Sequence, residues 1–331
     1  MDPVAVAGIG LCTAQGSAAQ ILVGSDVSPP RTLPWPASPR ATCTIGFTAR
    51  GIDPALRGAA RWRALADAAL ADLGGRRDVP ILVGSCNGGA DADEAAWQSA
   101  FASLGFDAPI ASAACASGVH ALWLAMTRIA AGEDEVIVLA VDVLSRANHD
   151  NFEALRVLTM EPAPWQPTSS GFIPGEAAVA LRLVRARDGD GLPRVSLPVL
   201  AYDREGEDAL AHVVRAVAPP DVTSIIGQGS GPAAVDEREL AALRGAVGDD
   251  VPLSTALTRF GHTVGASSLL SVALAALGPA KGTALVACRA LGGACAALTV
   301  GPLTAPPSIV AAAPSMWSTP SPPPSLSLIH I

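Results

Sequence analysis

The chain has 331 residues, 50% of them hydrophobic, 4% aromatic and 16% charged, enough apolar surface for one large domain or two smaller ones and too much for disorder or coiled coil. With 30 acidic and 22 basic residues the net charge is −8, which excludes a general nucleic-acid binder, because phosphate contacts need a basic face. No run reaches the roughly 18 apolar residues of a membrane span and no basic stretch precedes the first apolar run, so no membrane partner is expected and the expected location is the cytoplasm.

In chain order, Val4–Ile9 and Pro80–Gly84 are short apolar runs closed by glycine, the pattern of buried parallel strands. Arg61–Leu73 carries apolar residues at helical spacing and should cover a sheet face. Ala116–Ala131 reads as an apolar helix, Glu135–Val141 as a buried strand and Glu176–Val184 as a second strand. The same order recurs in Gly265–Leu277, Thr283–Ala287 and Gly293–Val300, so the expected fold class is α/β with two similar halves packed face to face. The expected divisions are 1–190, 191–300 and a Pro/Ser-rich tail over 301–331 without periodicity, read as disordered. The last six residues, LSLIHI, match an in-frame translation of the transposon end used in sequencing libraries, so a different natural C-terminus is expected.

Cys115 stands in a small-residue turn, ACASG, directly before the first apolar helix. A cysteine there feels the positive end of the helix dipole, which favours thiolate and nucleophilic chemistry; a buried structural cysteine is the alternative. The six cysteines contain no CxxC pair, so neither a metal site nor a disulfide framework is expected. Lys281 is the single lysine, and any lysine chemistry would fall to it. His120 reads as a packed core residue, and His149 and His212 as solvated ones. No GxSxG elbow, complete dinucleotide fingerprint or phosphate loop is present, and no cofactor is expected.

The blocks ACASGVHAL, AGEDEVIVLAVDVLS, GFIPGEAAVALRL, GQGSGPAAVDEREL, RFGHTVGASSLLSVALAAL and ALGGACAALTV, in this order, resemble the β-ketoacyl-[acyl carrier protein] synthases of fatty-acid and polyketide assembly. The resemblance implies a thiolase-like fold, two βαβαβαββ halves in a five-layer α-β-α-β-α arrangement, assembled as a homodimer or as a heterodimer with another ketosynthase. It implies Cys115 as the nucleophile that accepts an acyl group, with an oxyanion hole from the backbone N–H groups of Cys115 and Leu291. It implies His262 as one of two residues that polarise a malonyl thioester, and Gly261, Thr263, Gly292 and Gly293 as substrate-binding positions. An acyl carrier protein with phosphopantetheine-linked acyl chains is the implied partner, docked on a basic patch for which Arg61, Arg63, Arg76 and Arg77 are candidates.

The chain departs from that pattern where it matters. Gln228 stands in place of the second histidine, although Asp236 and Glu239 keep the acidic pair that follows it. Leu257 and Ser271 replace a lysine and a glutamate, Gln166, Ser169 and Ser170 replace Asp, Arg and Asp, and Leu291 replaces a gating phenylalanine. The chain is also shorter than a standard synthase, mostly ahead of Cys115. Three readings follow: an acyltransferase, with or without decarboxylative condensation; a non-elongating transferase; or a non-catalytic partner resembling a chain-length factor.

Overall fold

The computed structural model describes residues 3–24, 27–35, 41–75, 78–86, 110–187, 191–203, 208–278, 282–302 and 328–330. Arg76, Arg77, Lys281 and most of the Pro/Ser-rich tail lie outside the described residues.

The apolar runs of the first half become strands β1 (Val4–Thr13), β2 (Ile81–Gly84), β3 (Ile110–Ser112), β4 (Glu135–Asp142) and β5 (Ala177–Arg185). They lie in the order β3-β2-β4-β5-β1, with β2 parallel to β3 and β4, and β5 antiparallel to β4 and β1. A two-residue strand, β6 (Arg194–Val195), then pairs with β1 and with the second half, joining both into one array.

The second half repeats the plan with β7 (Val199–Tyr202), β8 (Val222–Gly227), β9 (Leu253–Thr255), β10 (Thr283–Arg289) and β11 (Ala294–Gly301). Their order is β9-β8-β10-β11-β7, with the same parallel and antiparallel sequence as the first half. Leu328–His330 pairs in parallel with β3.

Side chains alternate across these strands, and the two faces find different partners. On the outer face of the first sheet, Ile137, Leu139 and Val141 pack on Trp62, Leu65 and Ala69 of helix α1 (Gly58–Asp72). Val136, Val138 and Ala140 face inward, into a core shared with helix α2 (Ser117–Ala130) and with the second sheet. After helix α3 (Arg146–Ala154), the second half covers its outer face with α4 (Ala209–Val217) and α5 (Ala233–Val247). Helix α6 (Ser267–Leu277) lies beside α2 between the sheets. Five layers result, and both middle helices are apolar almost all round because both of their faces are covered.

Burying Leu122, Met126 and Ile129 of α2 contributes about 1.5–3 kcal/mol each. Small residues let the middle helices approach closely: a Cβ on Gly118 would lie 2.7 Å from that of Leu269. Val119 N–H donates to Ser268 Oγ at 3.2 Å, so the start of α2 is tied to the start of α6.

Two surface expectations are corrected here. Arg61 is buried, its guanidinium donating to Glu176 Oε2 through Nε at 2.8 Å and to Oε1 through Nη2 at 2.5 Å, so it cannot belong to a docking patch. His149 is buried rather than solvated, with Nε2 at 2.8 Å from the carbonyl oxygen of Cys43. In both cases the partner lies more than a hundred residues away in the chain, beyond what local pattern reports. His120 is buried as expected, with Nδ1 at 3.0 Å from the carbonyl of Ala116, and His212 is exposed.

Candidate active site

β3 ends at Ser112, and a tight turn carries the chain through Cys115 into α2. Ala114 takes φ +48°, a left-handed conformation that an alanine seldom adopts and that costs on the order of 1 kcal/mol or more. Ser117 fixes the turn: its hydroxyl donates to the carbonyl of Ala114 at 2.6 Å and accepts from Ala113 N–H at 2.9 Å. β2 ends against this turn at Gly84, where a Cβ would lie 2.7 Å from the carbonyl oxygen of Ser117, so only glycine fits.

The helix dipole does not decide the state of Cys115. The residue is buried, and burial pushes its thiol up to about 12, against the pull of the backbone N–H groups of Leu291 and of Cys115 itself. The nearby Asp142 carboxylate adds to the rise. The thiolate expected from the turn is therefore corrected to a resting thiol, because desolvation outweighs a partial charge. The backbone N–H of Leu291 acts on the sulfur of Cys115 in the sense that favours its charged form. Leu291 is 37% exposed, on a loop closed by Gly293 N–H donating to the carbonyl of Ala290 at 2.9 Å. Gly292 is exposed and Gly293 half-buried on that same loop.

His262 enters from the other half. Its backbone bridges the segment before β5: His262 N–H donates to the carbonyl of Ile173 at 2.8 Å, and Gly175 N–H donates to the carbonyl of His262 at 2.9 Å. The ring stacks on Phe172 with centroids 4.3 Å apart. Val264, at φ +50°, donates its N–H to Nδ1 at 3.2 Å, so the ring proton resides on Nε2. Nε2 is buried with no hydrogen-bond partner among the described residues. Burial pulls the imidazole down to about 4, so it stays neutral near pH 7 and offers a donor.

Gln228, Gly261, His262 and Thr263 line one small cavity of about 10 Å³, on the scale of one water, together with Leu257 and Ser271. Leu257 and Ser271, the two positions that the resemblance marks as departures, thus share one space. The Thr263 hydroxyl is 3.1 Å from that of Ser267.

The Gln228 loop is held from α5. Glu239 accepts from the N–H groups of Gln228 at 2.6 Å and Gly229 at 2.8 Å, and from Trp165 Nε1 at 2.9 Å. Asp236 accepts from Gly231 N–H and Trp165 N–H, both at 2.8 Å. These amides are spent on carboxylates, so the loop offers no anion cradle. Burial pushes Glu239 up to about 7 from an ordinary value of 4.5. A carboxyl raised in the folded state binds a proton that the unfolded chain has released, so its stabilising contribution is full below about 4.5 and is lost as pH rises through about 7. Chemical unfolding from pH 5 to pH 8 should show this fall in wild type and a flatter profile in Glu239→Gln; parallel profiles would contradict it.

The site residues therefore form two groups, Cys115 with Leu291 and His262 with Gln228. Sequence reading missed the residue between them. Asp142, at the end of β4, is fully buried and accepts from Ser85 Oγ at 2.8 Å, Cys86 N–H at 2.9 Å and Gly265 N–H at 2.7 Å. Its only signal in the sequence is one acid closing a wholly apolar run, VIVLAVD. All six cysteines are free, no cluster of metal-ligating side chains occurs among the described residues, and no described helix is long and apolar enough to cross a membrane.

Residues 100–189 match the family model for the N-terminal domain of beta-ketoacyl synthase, and residues 202–284 match that for its C-terminal domain, together just over half of the chain. Nodulation protein E of Rhizobium leguminosarum bv. trifolii is 28% identical over 193 residues, covering 51% of this chain and 48% of that protein. The match thus spans about half the length of this curated relative. Among solved structures, a ketosynthase in complex with its chain length factor from Xenorhabdus doucetiae superposes with a TM-score of 0.76 at 19% identity, covering 91% of this chain and 98% of that one. The ishigamide ketosynthase/chain length factor gives 0.75 at 17% identity, covering 92% and 100%. These likenesses show the thiolase-like ketosynthase fold.

Proposed function

This chain belongs to the β-ketoacyl synthase family, and from that membership we propose that it accepts an acyl group on Cys115 from a phosphopantetheine thioester carried by an acyl carrier protein. The observation that carries the reading is the buried sulfur of Cys115 beside the Leu291 amide and its own, on a strained turn at the start of α2. In the proposed step Sγ attacks the thioester carbonyl and its carbon–sulfur bond forms. The oxygen gathers negative charge between the two N–H groups, and the phosphopantetheine sulfur leaves. The proton lost by Cys115 ends on the departing thiol, so the exchange is balanced. Incubating the full chain with a carrier protein bearing a labelled acyl group should release one free phosphopantetheine thiol per acyl group transferred; no release above the buffer control would refute the reading.

Carbon–carbon condensation is the harder part of the chemistry. After loss of CO₂ from a malonyl thioester, the enolate oxygen would accept from His262 Nε2–H, whose tautomer suits it. The second donor is the amide of Gln228, which cannot become cationic. Gln228→His should raise malonyl-thioester decarboxylation by about tenfold to a hundredfold, with acyl loading of Cys115 within about twofold of wild type. Labelled CO₂ release measures the first and thiol release the second; equal decarboxylation in both proteins would show that the amide already serves.

A second reading, a pocket-shaping partner of an active ketosynthase, draws on the replacements Gln228, Leu257 and Ser271 gathered around one cavity. Co-expression with a complete ketosynthase should then give a heterodimer, whereas a homodimer that loads acyl groups by itself would refute it. The retained Cys115 turn favours the transferase.

A further inference from the structure

We propose that Asp142 is a positioning residue that holds the two groups of site residues in register, an inference that rests on the acyl-transfer reading and extends it. Its carboxylate joins three separate segments. From the first half it takes the hydroxyl of Ser85 and the amide of Cys86, just beyond β2, the strand whose Gly84 abuts the turn of Cys115. From the second half it takes the amide of Gly265, which follows Val264, the residue whose N–H fixes the proton of His262. The approach at Gly265 is as close as a backbone permits: a Cβ there would lie 2.4 Å from Asp142 Oδ2 and 2.8 Å from the amide of Cys86. The geometry therefore requires both a carboxylate at 142 and a glycine at 265.

The carboxylate has two effects on the chemistry, and they are separable. It orients the turn that sets the tautomer of His262 and the packing around Cys115, and a misplacement of about 1 Å in such a group costs on the order of a hundredfold in rate. It also places a negative charge near Cys115, which disfavours the thiolate. Asp142→Asn presents a donor where three donors already converge and removes the charge. Gly265→Ala pushes the turn away and keeps the charge.

The test is a comparison of both variants with wild type in the full chain. Acyl transfer from carrier protein is read by thiol release, and alkylation of Cys115 by iodoacetamide near pH 7 is read by peptide mass. Alkylation forms no oxyanion, so it does not depend on how the donors around Cys115 are placed. Both variants should transfer acyl groups about tenfold to a hundredfold more slowly, while alkylation of Cys115 rises in Asp142→Asn and does not rise in Gly265→Ala. Cys12, Cys43, Cys288 and Cys295 should be alkylated as in wild type, which separates the effect from unfolding, whereas Cys86, whose amide donates to Asp142 and whose thiol the same charge pushes up, should rise with Cys115 in Asp142→Asn. If either variant does not fold, Ser85→Ala removes one donor and should slow transfer about threefold.

Transfer at the wild-type rate in the folded variants, or alkylation that moves with transfer, would overturn the proposal. Should wild type itself transfer nothing, the acyl-transfer reading fails. The positioning of His262 is then judged from its ring nitrogens by NMR, with the Nε2–H form dominant in wild type and lost in both variants; an unchanged tautomer would overturn the proposal.

Discussion

Replacing Cys115 by alanine should lower acyl transfer by at least about a thousandfold, because it removes the sulfur proposed to form the covalent intermediate. Of the other cysteines, Cys86 and Cys288 are also held as thiols, pushed above the ordinary range mainly by burial. The remaining oxyanion donors would still bind the carbonyl but would have nothing to stabilise. The variant should fold, since a thiol-to-methyl change in this Ala-rich turn removes one heavy atom and costs on the order of 1 kcal/mol. Thiol release from labelled carrier protein, with circular dichroism as the control for folding, checks both parts. Residual transfer within about tenfold of wild type would place the nucleophile elsewhere.

Replacing Glu176 by alanine should destabilise the fold by about 3–5 kcal/mol, the cost of stranding a buried charge. Glu176 is 1% exposed and accepts from Arg61 twice, from Ala49 N–H at 2.8 Å and from Leu144 N–H at 3.2 Å. Its removal takes away the carboxylate to which Nε and Nη2 of Arg61 both donate and orphans two amides. That loss is a large fraction of a domain's usual net stability of about 5–15 kcal/mol. Pairing Glu176→Leu with Arg61→Met should recover part of it, because the desolvation cost of both ions goes with them. Denaturant midpoints for the two singles and the double measure the coupling. A Glu176→Ala midpoint equal to wild type would contradict the reading of Arg61 and Glu176 as a buried pair whose loss strands a charge.

The strands were legible because a strand buried on both faces reads as a continuous apolar run, and EVIVLAVD and TALVACR stand out among polar loops. The duplication was legible for the same reason: helix, strand and antiparallel strand recur after Cys115 and after His262 at nearly equal spacing. Electrostatics was less legible. The dipole at the start of α2 can be read locally, whereas the burial that outweighs it comes from the second sheet, brought in by the fold. Arg61 and His149 were misread on the same ground, since Glu176 and the carbonyl of Cys43 reach them only through tertiary contact. Asp142 went unnoticed because its donors come from positions 85, 86 and 265, which no local window contains. Gln228 was visible as a substitution, but its shared cavity with Leu257, His262 and Ser271 is a property of the folded chain alone.

The most direct measurement is peptide mapping of the full chain after incubation with an acylated carrier protein. The account predicts an acyl mass on the peptide containing Cys115, absent from Cys115→Ala and unaffected at the other cysteines. An unmodified Cys115 in folded wild-type protein, with the acyl group retained on its carrier, would contradict it.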